Sequence, residues 1–223
     1  MTETGREREK VVGTLKGIAS LYEENLQNYG TASKSVGWKD EASQILRFEK
    51  LAQVIDSRRA GAGISVNDLG CGYAAMYSFL DDQPSITLSR YYGYDISDKM
   101  LQTAAKTVAN DPRAVFIRAS EITEEADYSF VSGTFNVRLD ASDELWTDHI
   151  LRAIRNLAAK SRRGFAFNLL TTYVDWKQEN LYYGDPFMFF DFCKRNISPY
   201  VSLLHDYPLY EWTLLIRKRS DQG

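Results

Sequence analysis

Val66-Asn67-Asp68-Leu69-Gly70-Cys71-Gly72 is a short apolar run closed by an acid and two glycines one residue apart. Ile64, Val66 and Leu69 suit a buried strand. Gly70 and Gly72 permit a tight turn and let a ligand press against the main chain, where a Cβ would collide. Tyr73 to Leu80 then reads as a helix, with Ala75, Met76, Phe79 and Leu80 on one side. Asp95 ends the next apolar run, and a carboxylate there can accept two hydrogen bonds from a ribose diol. Strand, glycine turn, helix and acid together describe the crevice at the carboxyl ends of parallel strands, where α/β sheets bind nucleosides.

Two kinds of nucleoside ligand are compatible with the glycines. Gly70, Gly72 and Ala75 fit the dinucleotide pattern Gly-x-Gly-x-x-Gly/Ala. Asp68 argues against it, because a negative charge before the turn faces a pyrophosphate badly. The same charge suits a ligand that carries an ammonium and a sulfonium. The long segment ahead of the strand also argues against a dinucleotide fold, which often begins close to its first strand.

Asp68-Leu69-Gly70-Cys71-Gly72, Gly93-Tyr94-Asp95-Ile96-Ser97 and the following Met100-Leu101 resemble the class I S-adenosylmethionine-dependent methyltransferases. The resemblance covers residues 40 to 218, roughly, and implies S-adenosyl-L-methionine as cofactor. It implies that Asp68 and the turn at Gly70, Cys71 and Gly72 hold the methionine end. Asp95 would hold the ribose, and Ile96 and Met100 would pack the adenine. The family's third glycine is Ala74 here. The acid found after the family's third strand aligns with Ser120, with Glu121 beside it, so the adenine edge falls to one of these two.

The remaining pattern alternates. Strands are expected near 64–69, 88–95, 113–118, 127–132 and 163–170, and helices near 73–81, 98–109 and 143–159. Val11, Leu15, Ile18, Tyr22, Leu26 and Tyr29 recur at helical spacing ahead of them, and Ile45, Phe48, Ala52 and Ile55 mark a second helix. Pro186 to Lys194 suggests a short aromatic helix. Tyr200–Leu204 and Trp212–Ile216 form a terminal hairpin, which the family places at the sheet edge. The expected fold is α/β: a seven-stranded, mostly parallel, doubly wound sheet with an antiparallel C-terminal hairpin and a helical N-terminal cover. At 223 residues it is one domain overall, with residues 1–60 as helical cap and 61–223 as methyltransferase core.

The acceptor is expected beyond the fourth strand, at Ser132-Gly133-Thr134-Phe135-Asn136, where Gly133 allows a close approach to the donor or simply serves a loop. Asn136 can orient an acceptor group or cap the loop. His205, before Asp206 and Tyr207 at a strand end, is the base candidate, and His149 inside a helix reads as a surface residue. Tyr22, Tyr29 and Trp38 of the leading segment, with Tyr173 and Tyr183 after the fifth strand, can cover a substrate. Arg47 can pair with the methionine carboxylate or stay solvated. No His/Cys cluster has metal-ligand spacing.

Net charge is −3, so no positive field draws the chain to nucleic acid or anionic lipid. Cys71 and Cys193 are too few for a disulfide scaffold. A polar amino terminus excludes a signal peptide and no apolar run reaches membrane-spanning length, so a cytoplasmic protein is expected. The expected activity is methyl transfer to oxygen or nitrogen of a small polar molecule, a sugar or biosynthetic intermediate, with neither nucleic acid nor membrane as partner. The alternatives are a nicotinamide-dependent oxidoreductase and a catalytically inactive, ligand-binding member of the fold.

Overall fold

The structure is a computed structural model that describes residues 3–218. Helix α1 (Glu3–Tyr29), a 3-10 turn (Ser33–Val36), α2 (Glu41–Ala52) and α3 (Ser57–Ala60) precede the first strand, β1 (Ile64–Leu69). There follow α4 (Ala75–Asp81), β2 (Leu88–Asp95), α5 (Asp98–Thr107), β3 (Ala114–Arg118), β4 (Ala126–Val131), α6 (Asp143–Lys160) and β5 (Ser161–Thr171). The chain ends with β6 (Tyr183–Gly184), α7 (Pro186–Asn196), β7 (Tyr200–Leu204) and β8 (Glu211–Arg217). The strands lie in the order β3-β2-β1-β4-β5-β8-β7. Strands β1 to β5 run parallel, and β8 returns antiparallel to both β5 and β7.

Local chemistry explains where the helices start. Asp40, Ser97 and Ser142 accept the N–H of Ser43, Met100 and Leu145, capping α2, α5 and α6. Asp185 caps α7, with Pro186 at a position that has no N–H to lose. Strands β1 and β4 are buried along their whole length, as central parallel strands covered on both faces must be. One core layer packs α2, α4 and α5 against the sheet, with Phe48, Leu51, Met76, Tyr77 and Ala104 inside. The opposite layer packs α1, α6 and α7, with Ile18, Trp146, Ile150, Ile154 and Phe189 inside.

The sheet has eight strands where seven were expected. The eighth, β6, pairs parallel with Leu170 and Thr171 at the end of β5, a contact too short to leave a periodic signal. Helix α4 starts at Ala75, later than the expected Tyr73, because Ala74 sits at φ 66 in the left-handed region and ends the turn before the helix can begin. Strand order also fixes the crevice. β1 leads into α4 on one face and β4 into α6 on the other, so the loops that follow these two paired strands diverge at their carboxyl ends.

Arg47 departs from both expectations. It is neither solvated nor open to a ligand carboxylate: its Nε lies 2.7 Å from Glu211 Oε1, and its guanidinium stacks 3.8 Å from the Trp38 ring centre. Nη1 donates to Ser43 O at 2.8 Å. Glu211 is fully buried, and Asn168 Nδ2 donates to its Oε1 at 3.4 Å. Burial pushes the Glu211 carboxyl up, and Arg47 pulls it back toward the charged form. The pair locks α2 onto the start of β8. Arg47→Met alone leaves a buried carboxylate without its cation and should cost about 3–5 kcal/mol in urea unfolding. Adding Glu211→Leu should recover most of that loss, and simple additivity of the two losses would contradict the coupling.

Candidate active site

Asp95 joins two loops at the crevice. Its Oδ2 accepts the Gly72 N–H at 3.0 Å and its Oδ1 accepts the Ser97 N–H at 2.9 Å. Tyr94 O accepts the N–H of Gly70 at 2.8 Å and of Cys71 at 2.9 Å. The carboxyl of Asp95 is raised by burial, a push that these backbone N–H groups oppose. Gly70 and Gly72 have φ of 77° and 53°, the left-handed region that a turn this tight requires.

The space each glycine leaves is specific. A Cβ on Gly70 would lie 2.1 Å from Thr134 Oγ1, a hydroxyl that donates to Leu69 O at 2.9 Å. Gly70 therefore makes room for Thr134 of the β4 loop. A Cβ on Gly133 would lie 2.2 Å from the Trp38 ring, so that glycine admits the tryptophan. Asn168 Oδ1 accepts the Gly133 N–H at 2.7 Å and fixes the loop from the β5 side.

A cavity of about 90 Å³ lies over this turn. Its roof is Leu15, Ile18 and Tyr22 of α1, and its floor is the Gly70–Gly72 turn. Asp95, Ile96, Met100, Ala119 and Ser120 make the wall toward β3, and Ser132–Phe135 with His149 make the wall toward β4. Among the described residues no lysine or arginine lines it. Burial and the charge of Asp95 push the Tyr22 hydroxyl up to about 12. The roof is fastened beside Asp95: Ser97 Oγ donates to Glu23 at 2.8 Å and Lys99 Nζ lies 3.1 Å from the same carboxylate. A smaller recess on the other side of the turn is lined by Asp68, Cys71, Trp38 and Ser132. Asp68 is raised to about 7, chiefly by burial, against the opposing hydrogen bond from Tyr91 Oη at 2.5 Å.

Of the residues singled out in the sequence, Gly70, Gly72, Asp95, Ile96, Met100, Ser120, Gly133 and Tyr22 line the cavity, and Asp68, Cys71 and Trp38 line the recess. Burial holds the Cys71 thiol protonated, well above its ordinary range. Glu121 and Tyr29 are exposed and line neither space. Tyr183 is covered by Lys177 and accepts the Gln178 N–H, and it too lies outside. Asn136 caps its loop: its Oδ1 accepts the Leu170 N–H at 3.2 Å and its carbonyl accepts the Tyr182 N–H at 2.8 Å.

The histidines exchange places. His205 is exposed, 5.7 Å from the ring of the equally exposed Tyr173, and lines neither space, which corrects its expected position by the pocket. His149 is part-buried and faces the cavity, which corrects its reading as a surface residue. The signal was available: His149 is three residues after Trp146 and one before Ile150, on the edge of the apolar stripe of α6. Arg162 and Arg163 are both paired with Asp127. Among the described residues no group of three or more His, Cys, Asp or Glu is placed to hold a metal.

The site suits a cationic nucleoside. Buried Asp68 and part-buried Asp95 flank the glycine turn, apolar Ile96 and Met100 lie beside Asp95, and the buried Ser132 Oγ has no hydrogen-bond partner among the described residues. A pyrophosphate at the turn would meet Asp68 in the recess, and among the described residues no lysine or arginine lines either space to offset it.

Comparison with known proteins agrees with that geometry. No family model matches the chain. It is 49% identical over 158 residues to the Mycobacterium tuberculosis (strain ATCC 25618 / H37Rv) protein named "Putative methyltransferase Rv1506c", covering 70% of this chain and 94% of that one. Magnesium protoporphyrin IX methyltransferase (ChlM) from Synechocystis PCC 6803, solved with bound SAH, superposes with a TM-score of 0.62 at 14% identity, over 92% of this chain and 98% of its own. Mitomycin 7-O-methyltransferase MmcR superposes with a TM-score of 0.55 at 12% identity, over 80% of this chain and 55% of its own. By its identity to the mycobacterial relative and the fold that accompanies it, the chain belongs to the class I S-adenosylmethionine-dependent methyltransferases.

Proposed function

We propose that the acceptor is a small polar molecule, methylated on oxygen or nitrogen. One observation carries this: helix α1 lies over the cavity and is fastened to α5 through Glu23, Ser97 and Lys99, so an acceptor meets a small, partly covered pocket. In this reading residues 1–60 act as a cap on a core of residues 61–223. The small-molecule acceptors in the names of ChlM and MmcR support it. So does a net charge of −3, which offers no field for nucleic acid.

Each chemical need of methyl transfer has a candidate in the chain. Asp95 has lone pairs left for the two ribose hydroxyls. Asp68 and the Gly70–Gly72 turn take the methionine end, Ile96 and Met100 pack the adenine, and Ser120 meets its edge. The cofactor supplies a methyl group on a cationic sulfur that keeps the C–S electron pair as the acceptor's lone pair forms the new bond. The chain's own contribution is alignment and exclusion of water, worth about 7–11 kcal/mol of barrier when reacting groups are held in line. The acceptor's proton leaves to a neighbouring base or to solvent.

Incubation with methyl-labelled donor and a panel of sugars, phenols and amines tests the proposal. Label should enter a small acceptor; label entering only RNA or protein would overturn it. S-adenosylhomocysteine should also raise the melting temperature where NADPH does not, and the reverse would favour the nicotinamide alternative.

Asp68 gives a pH test. With a carboxyl at about 7 it is mostly protonated at pH 6 in the free protein. A cationic amine beside it favours the carboxylate, so binding should release protons and should weaken as pH falls below that value. Calorimetry of S-adenosylhomocysteine at pH 6, in buffers of different ionisation enthalpy, should show net proton release that Asp68→Asn abolishes. Binding without release would contradict the placement of the amine at Asp68.

A further inference from the structure

Strand order divides the cavity into sides. Asp95 ends β2, and Ala119 and Ser120 follow β3, so the sugar acid and the apolar wall beside it lie toward β3. The glycine turn follows β1. Ser132–Phe135 follow β4, across β1 from Asp95, and His149 of α6 joins them. With the sugar at Asp95 and the methionine end at the turn, the β4 wall is the one left for an acceptor.

Apart from Thr134, whose hydroxyl is already given to Leu69 O, that wall is polar at two places. The His149 ring lies 4.9 Å from the Trp146 ring and 6.3 Å from Phe135, edge-on to the latter. Trp146 is held in turn, its Nε1 donating to Phe135 O at 2.8 Å. The imidazole is thus fixed by packing, and among the described residues no hydrogen bond is made to either ring nitrogen. Burial and the nearby Arg152 lower it to about 4, so it is neutral at physiological pH, with one nitrogen free to accept. The second polar group is Ser132 Oγ, buried and without a partner. Groups so placed want partners.

We propose that His149 positions the methyl acceptor: its imidazole receives a hydrogen bond from the acceptor's hydroxyl or amine, with Ser132 Oγ as the second contact. The proposal rests on the small-acceptor reading above. A neutral ring holds the acceptor close without repelling the cationic donor, whereas a lysine or an imidazolium would oppose it. Asp95 is the cavity's one lining carboxylate among the described residues and stands on the opposite wall, so the acceptor side has no competing base.

The test uses the whole protein and nuclear magnetic resonance. The chain has two histidines, so His205→Gln assigns both ring signals. The complexes with S-adenosylmethionine and S-adenosylhomocysteine differ by the methyl group and its charge. The His149 ring signal should differ between them, and the His205 signal should not. In His149→Leu and His149→Gln the bound carbon-13 methyl signal of S-adenosylmethionine should move, while affinity for S-adenosylhomocysteine changes by less than about threefold. With the acceptor found by the labelled panel, KM should rise about tenfold or more in His149→Leu and be largely restored in His149→Gln. Should the leucine variant fail to fold, the wild-type comparison and the glutamine variant still decide. A His149 signal identical in both complexes, with an unmoved methyl signal in the variants, would overturn the proposal. If wild-type protein binds neither compound, the donor assignment itself fails, an outcome distinct from a silent His149.

Discussion

The carboxylate of Asp95 organises the site before any ligand arrives. It accepts one backbone N–H from the β1 turn and one from the loop into α5, two donors that burial would otherwise orphan. Ser97 carries the connection onward, capping α5 through Met100 and donating to Glu23 on α1. One hydrogen-bonded chain therefore runs from the glycine turn, through Asp95 and Ser97, to the roof. The position of the turn and the position of the cap are set by the same side chain.

Electrostatics favours a positively charged occupant. Asp95, on the cavity, and Asp68, on the recess beside it, are both raised by burial, and among the described residues neither space is lined by lysine or arginine. The arginine on α2, a natural candidate to meet a ligand carboxylate, is committed to Glu211 and stacked on Trp38. A donor whose amine and sulfur both carry positive charge relieves the cost of these two acids. An anionic dinucleotide would raise it.

The sequence made the donor half of the site legible because its signals are local. The apolar run of β1, the two positive-φ glycines and the acid ending β2 each sit within one strand and its turn. On the β4 side the loop Ser132–Phe135 was legible, but what packs against it was not, because those pieces are distant in sequence. Nothing near Gly133 says that Trp38 will fill the space above it, and nothing near Arg47 announces Glu211. Strand β6 depends on a return of the chain to Leu170 and Thr171, which a two-residue segment cannot signal. His149 was readable from its helical spacing, yet flanking charges at Asp148 and Arg152 argued for the surface. The ring turned inward because Trp146, Phe135 and the roof of α1 build an apolar wall beside it.

The central claim is that Asp95 grips a ribose diol, and it is best tested without disturbing the loops that Asp95 also holds. Calorimetry on the unmodified protein can compare S-adenosylhomocysteine with its 2′,3′-dideoxyribose counterpart. Two hydrogen bonds to a charged carboxylate predict that the dideoxy compound binds at least about tenfold more weakly. Equal affinity for the two would contradict the account.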